Sequence, residues 1–327
     1  MAVEFMMQGA ELGSIASELQ GLNIRSPRFR GLDTLRKDEW KGFDTVLVEV
    51  AQQRLNVVAD LLSRGLVLNI PNAMGTTVFQ WETVSDMPDA QVSMDAETPA
   101  DNARVDFNLQ TLPLPIVHED WFLNLRFLEA SRKLGQPLDT TMLAQATLKV
   151  VQKLEDIVVN GISTIKFGGA TVTGYTTFAD RITKTNLTDW GLTATTGETI
   201  LDETLVAIGL INAKKHFGPF VMYVTNAWYL NLLNDFKAGS DKSTLQRLLE
   251  IPSITEIKVS DNLAANNMIM VEMDRTVVDI LNGFAPRLLQ WQTMGGLKTH
   301  YKIMAIMIPR LKADSESQTG ILHGTIA

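Results

Sequence analysis

The apolar positions of this chain change period several times, and each change marks a segment. Leu12, Ile15, Ala16 and Leu19 recur at helical spacing, which predicts a short amphipathic helix near 10–20. Pro27 and Gly31 then interrupt regular structure, and Arg25, Arg28 and Arg30 oppose burial there, so residues 1–42 read as an arm. Leu47, Ala51, Leu55, Val58 and Leu62 share one helical face, predicting a helix over 43–64 that stops at Gly65. The stretch 66–112 differs: Pro71, Gly75, Pro88 and Pro99 punctuate it, with strand-like pieces at 77–82 and 104–109. It reads as a long two-stranded excursion, closed off by Pro113 and Pro115.

The strongest helical signal runs over about 140–160. Leu143, Thr147, Val150, Val151, Leu154, Ile157 and Val158 form one apolar stripe, Asp139 is a good N-cap, and Asn160-Gly161 ends it. Such a helix spans about 30 Å and is long enough to organise a subunit. Residues 162–185 alternate short strands with Gly168, Gly169 and Gly174, and a helix follows at 199–215. Phe220-Val221-Met222-Tyr223-Val224 is a continuous apolar run, hence a strand buried on both faces. Helices at 226–236 and 243–250 precede strands at 255–259, 268–272 and 276–281, and the tail carries two long strands, 288–293 and 301–309. With no regular βαβ alternation the pattern predicts an α+β fold.

Composition removes several function classes. The 327 residues contain no cysteine, which excludes disulfides and thiolate metal sites and fits assembly in a reducing cytoplasm. The net charge of -8 argues against holding a polyanion by bulk charge. Met1-Ala2-Val3-Glu4-Phe5 lacks the pattern of a secretory signal, Met1 reads as a gene start rather than a protease cut, and no apolar run is long enough for a membrane span. The four histidines, 118, 216, 300 and 323, are far apart, and neither a nucleophile elbow nor a phosphate loop occurs. His118-Glu119-Asp120 cannot converge as a triad on a strand, where neighbours face opposite ways. Glu155-Asp156 reads as a solvated or interface-facing edge of the long helix rather than an acid pair. Tryptophans 40, 81, 121, 190, 228 and 291 are scattered, which favours core or interface anchoring over a base-stacking platform. No catalytic, cofactor or metal site is expected.

The order of segments resembles the encapsulin shell proteins and, more broadly, tailed-phage major capsid proteins of the Hong Kong 97-type fold. Trp40-Lys41-Gly42-Phe43-Asp44 and Ile70-Pro71-Asn72-Ala73-Met74-Gly75 look like the entry to the extended loop of that family. Leu112-Pro113-Leu114-Pro115, Leu138-Asp139 and Leu154-Glu155-Asp156 through Asn160-Gly161 look like its spine helix and lead-in. Thr173-Gly174-Tyr175 matches a glycine-centred turn, and Phe217-Gly218-Pro219-Phe220 through Val224, then Ala227-Trp228-Tyr229-Leu230, looks like the strand and helix of the axial domain. The resemblance covers most of 40–310. It implies an N-terminal arm (1–42), a peripheral domain with the spine helix (43–65 and 113–161), an extended loop (66–112), an axial domain (162–275) and return strands to the peripheral domain (276–327).

The implied function is a major capsid protein that self-assembles through pentamers and hexamers into an icosahedral head enclosing phage DNA, assembled in the host cytoplasm and located in the virion. Scaffolding, portal or decoration proteins are further partners the resemblance allows; no membrane or sequence-specific DNA contact is implied. The alternative is an encapsulin-type compartment around an enzyme cargo. The arm and excursion are long for an encapsulin, which favours the phage capsid. Some capsids of this fold link a loop lysine to a neighbour's asparagine; 66–112 contains no lysine. That excursion carries seven acids against Arg104, while 20–42 carries six bases against three acids. The candidate subunit-interface residues are therefore Arg25, Arg28 and Arg30 on the arm, and Phe79, Trp81, Glu82 and Phe107 on the excursion.

Overall fold

The computed structural model describes residues 56–84, 94, 107–133, 141–237, 239–314 and 316–326. The arm, with Arg25, Arg28 and Arg30, lies outside the described residues, as do Asp139 and the part of the excursion between Val84 and Phe107 apart from Met94.

Two sheets and one long helix organise the rest. The first sheet has the order β1-β11-β12-β4, with β1 Val67–Asn69, β4 Val117–Asn124, β11 Val278–Thr293 and β12 Lys298–Leu311. β11 and β12 form a long antiparallel hairpin around a 3-10 turn at Met294–Gly296. The second sheet has the order β7-β13-β10-β8-β9: β7 Ile182–Lys184, β13 Ile321–Thr325, β10 Asn267–Glu272, β8 Phe220–Val224 and β9 Ile254–Val259. Two separate hairpins complete the strands, β2 Val78–Val84 with β3 Phe107–Pro113, and β5 Ile162–Phe167 with β6 Ala170–Val172. The helices are α1 Asn56–Ser63, α2 Leu125–Lys133, α3 Thr141–Asn160, α4 Gly197–Asn212, α5 Asn226–Leu232 and α6 Thr244–Leu249.

α3 occupies the expected span, and its stripe serves two cores. Leu143, Val150, Val151, Leu154 and Val158 pack with Tyr301, Ile303 and Ala305 of β12, and with Val221, Tyr223, Ile269 and Val271 of the second sheet. Ile157, one step around the helix, joins Ile70, Leu112, Leu114, Phe284, Ile306 and Ile308 instead. Each such aliphatic side chain stabilises by about 1.5–3 kcal/mol on full burial, so this one helix ties both sheets together. β8 shows why its apolar run is continuous. Val221 and Tyr223 face the α3 core, while Phe220, Met222 and Val224 face a second core with α4, α5 and α6, where Trp190 and Trp228 are buried with ring centroids 4.8 Å apart.

Local caps account for the element ends. After α1, the Leu66 amide donates to the Leu61 carbonyl (2.9 Å) and the Gly65 amide to that of Leu62 (3.1 Å), with Gly65 at φ 70°. This is the left-handed stop expected at that glycine. The end of α3 is closed by a turn 14 residues on. The amides of Tyr175 and Thr176 donate to the carbonyls of Val158 (3.0 Å) and Val159 (2.9 Å). A Cβ on Gly174 would lie 2.4 Å from the Gly161 nitrogen, so two glycines marked separately in the sequence allow one close backbone approach. α4 starts two residues before its expected position, because Thr196 caps it by accepting from the Thr199 amide (3.3 Å).

The structure corrects three expectations. The strands expected at 276–281 and 288–293 are one strand, β11, whose register shifts at 282–284 and 284–287 absorb Gly283 and Pro286. Residues 276–327 do not all join the first sheet: β13 lies in the second, antiparallel to β10 and parallel to β7, with Ile321 and Leu322 buried. β3 runs on to Pro113, past the expected end at 109, because its pairing with β2 sets Val78 opposite Pro113 and Phe79 opposite Leu112.

Candidate assembly surface

The excursion leaves the body as the β2–β3 ribbon, whose strands pair only with each other among the described residues. Alternation gives the ribbon two faces. Phe79 and Trp81 lie on one, half-buried against the first sheet. The Arg310 guanidinium sits over both rings, 5.2 Å from Phe79 and 5.6 Å from Trp81. Arg310 is itself held by buried Asp279, through Nε (2.8 Å) and Nη2, and Lys312 reaches the same carboxylate at 2.8 Å. The chain thus covers much of Phe79 and Trp81 itself. The other face carries Val84, Phe107 and Leu109, with Phe107 65% exposed, and Glu82 is exposed between them. At the root of that face, a groove of about 490 Å³ runs between Gly75, Thr76, Val78, Gln80, Thr111 and Phe167. The structure therefore separates Phe79 and Trp81 from Phe107 and Glu82, which the sequence reading had grouped.

A second exposed surface lies on the first sheet, opposite α3. Along β12, Thr299, Tyr301 and Ile303 are buried, whereas Lys298, His300 and Lys302 point the other way. Pairing sets His300 opposite Trp291 of β11 and Phe122 of β4. The Trp291 and His300 rings stack at 5.3 Å and 12°, and Phe122 lies 5.8 Å from His300. Lys298 is 5.0 Å from the centre of the Phe122 ring and Lys302 is 5.7 Å from that of Trp291, while Lys302 also pairs with Asp120 at 3.4 Å. His118 and Asp120 share this exposed face, 3.7 Å apart, with Glu119 on the opposite side of the strand, so no triad forms. Sequence reasoning missed this strip. Its signal was the two-residue spacing of Lys298, His300 and Lys302, legible only once β4 and β11 are known neighbours.

α4 is apolar on both sides. Ile200, Ala207, Ile208 and Ile211 are inside, yet Leu205, Val206 and Leu210 are exposed. Phe217 and Leu230 are exposed nearby in sequence.

Glu155 contradicts its sequence reading. It is not a solvated edge but 4% exposed, and its carboxylate accepts the amides of Asn56 (2.9 Å) and Val57 (3.2 Å) at the start of α1. Burial pushes its pKa up to about 7 against the pull of those amides, and Asp261 and Asp60 push it the same way. Asp156, next to it, faces outward to Lys153 (2.7 Å) and Asn160 (2.9 Å). Among the described residues, no three histidine, aspartate or glutamate side chains converge as a metal-binding group, and no helix is long and apolar enough to cross a membrane.

Comparison with known proteins fits this geometry. Residues 30–324 match DUF6260, a family of unknown function. The chain belongs to this family. The chain is 22% identical over 235 residues to the type 1 encapsulin shell protein EncA of Myxococcus xanthus (strain DK1622), covering 72% of this chain and 71% of EncA. Its fold is similar to that of the virus-like particle of Pyrococcus furiosus, with TM-score 0.62 and 15% identity over 87% of this chain and 98% of that one. It is also similar to the capsid of Myoviridae phage XM1, with TM-score 0.63 and 10% identity over 81% and 91% of the two chains. These relatives are shell and capsid proteins, not enzymes. This DUF6260 chain has the Hong Kong 97-type fold, a mixed α+β architecture.

Proposed function

We propose that this DUF6260 chain is a self-assembling shell subunit, and specifically the major capsid protein of a tailed phage, forming an icosahedral head around DNA. The observation that carries the reading is the β2–β3 ribbon. Among the described residues its two strands pair only with each other, and Val84, Phe107 and Leu109 are exposed on one face. An isolated two-stranded ribbon is marginal in water, so neighbouring copies are its natural cover. In this reading 1–42 is the arm, 66–112 the extended loop, and the two sheets are the centres of the peripheral and axial domains.

Charge suggests how copies meet. Residues 66–112 carry net -6, and the half-buried lysines Lys298 and Lys302, on either side of His300, give the strip a charge of opposite sign. The basic arm, with Arg25, Arg28 and Arg30, is the other candidate acceptor. Single exposed ion pairs contribute only about 0–1 kcal/mol, but they repeat at every contact of a closed shell.

A second reading, an encapsulin-type compartment, is favoured by the similarity to EncA. Size-exclusion chromatography with light scattering tests the shared claim: shells of many copies are expected, and a monomer at every protein and salt concentration would overturn it. Particles from the native source separate the two readings. Nuclease-protected DNA is expected for the capsid; a co-purifying folded enzyme without DNA would make the compartment the right one.

A further inference from the structure

The surroundings of Glu155 suggest a role beyond assembly. Its carboxylate sits where three parts of the chain meet: α3, the start of α1, and the connection after β9. Asp60 lies one turn along α1, 6% exposed; its Oδ2 accepts the Tyr223 hydroxyl (2.8 Å) and its Oδ1 pairs with Lys258 of β9. Lys258 also holds Glu256 (2.6 Å), which Arg64, in the turn after α1, approaches at 3.6 Å. Asp261 follows β9, and Asn160 at the end of α3 donates to the carbonyl of neighbouring Asn262 (2.9 Å). Tyr175 is fully buried beside this group. The charged and titratable groups facing the junction are thus Glu155, Asp60, Asp261 and Glu256 against Lys258 and Arg64, with Tyr175 and Tyr223. Lys258 pairs with both Asp60 and Glu256, Arg64 approaches Glu256, and among the described residues the hydrogen bonds to Glu155 come from the backbone amides of Asn56 and Val57.

We propose that Glu155, with Asp60 and Asp261, is a proton-operated latch joining the two sheets: with a proton on Glu155, α1, α3 and the β9–β10 connection hold together, and loss of that proton loosens them. The charged form buries an anion near two others, at a site where neither cation is spare. The neutral form removes that repulsion and keeps the amide contacts, at reduced strength. The sign follows from linkage. A carboxyl raised from 4.5 to about 7 in the folded chain binds protons more tightly than in the unfolded one. Its stabilisation is complete below 4.5 and is lost as pH rises through about 7. The latch rests on intrachain contacts and does not depend on the assembly reading.

Global melting is the wrong probe, because buried His323 has its pKa lowered by burial and then by Arg181, and so loses stability in the opposite direction, as pH falls. Amide hydrogen exchange on the full-length protein, corrected for intrinsic rates, reads the junction directly. Between about pH 5 and about pH 8, peptides covering 56–63 and 150–161 should lose protection with a single midpoint near neutrality, while those covering β10 should not. Glu155→Gln should abolish that midpoint. Asp261→Asn, at an exposed position that leaves the core intact, should shift it to lower pH, since removing one repelling charge brings the raised Glu155 pKa down, and the loss of protection above it should be smaller. Flat exchange in the wild type overturns the latch. So does a midpoint that survives Glu155→Gln, or, should that variant not fold, one that Asp261→Asn leaves unmoved.

Discussion

Arg310 should be the pin that holds the root of the excursion to the body, and replacing it by leucine tests this. The guanidinium makes two kinds of contact: a two-point contact with Asp279, which is 1% exposed, and a position over the Phe79 and Trp81 rings. Removing one partner of a buried pair costs about 3–5 kcal/mol when the other is stranded. Here Lys312 stays 2.8 Å from Asp279, so the cost of Arg310→Leu should fall at or below the low end of that range. The two ring contacts contribute a further ~0.5–1 kcal/mol each, and this part is local to the ribbon. A local loss of about 1.4 kcal/mol is tenfold in opening. Hydrogen exchange across β2 and β3 in Arg310→Leu should therefore accelerate about tenfold. Lys312→Met is the control. It weakens Asp279 from the other side and lowers overall stability, yet leaves Arg310 over the rings, so ribbon exchange should stay near wild type. Equal ribbon exchange in Arg310→Leu and the wild type would refute the pin, as would equal acceleration in both variants.

Three further outcomes are expected. Val151→Asp or Leu154→Asp places an unpaired charge in the core shared by both sheets, costing several kcal/mol; soluble, assembly-competent protein from either would contradict the placement of that core. Gly174→Ala should lower the urea midpoint by about 1–3 kcal/mol in stability, because the new Cβ meets backbone at 2.4 Å with no flexible side chain to yield; an unchanged midpoint would contradict the close approach. Boiled denaturing gels of particles should show one monomer band, since there is no cysteine and 66–112 has no lysine; a ladder would mean a lysine elsewhere, such as Lys133 or Lys298, links subunits.

Elements whose burial is set by their own pattern were legible in the sequence. α3 declares its stripe over 20 residues, and β8 declares burial on both faces by five successive apolar residues. The breaks in β11 were misleading because glycine and proline ordinarily end strands, whereas here irregular pairing accommodates them. β13 is too short to announce its sheet; only its register with β10 assigns it. The assembly surface was half legible. Phe107 and Glu82 are exposed on the ribbon, but the cover over Phe79 and Trp81 comes from Arg310, more than 200 residues away. Glu155 was illegible for the same reason. A glutamate beside an apolar stripe is ordinarily solvated, and only the amides of Asn56 and Val57, almost a hundred residues upstream, make its burial tolerable.

The central claim is that copies of this chain close into a shell. Cryo-electron microscopy of the purified full-length protein tests it most directly. The account predicts closed icosahedral particles in which the β2–β3 ribbon of one subunit lies across its neighbour, with Phe107 and Leu109 covered. Dispersed single subunits, or particles in which that ribbon touches only its own chain, would contradict it.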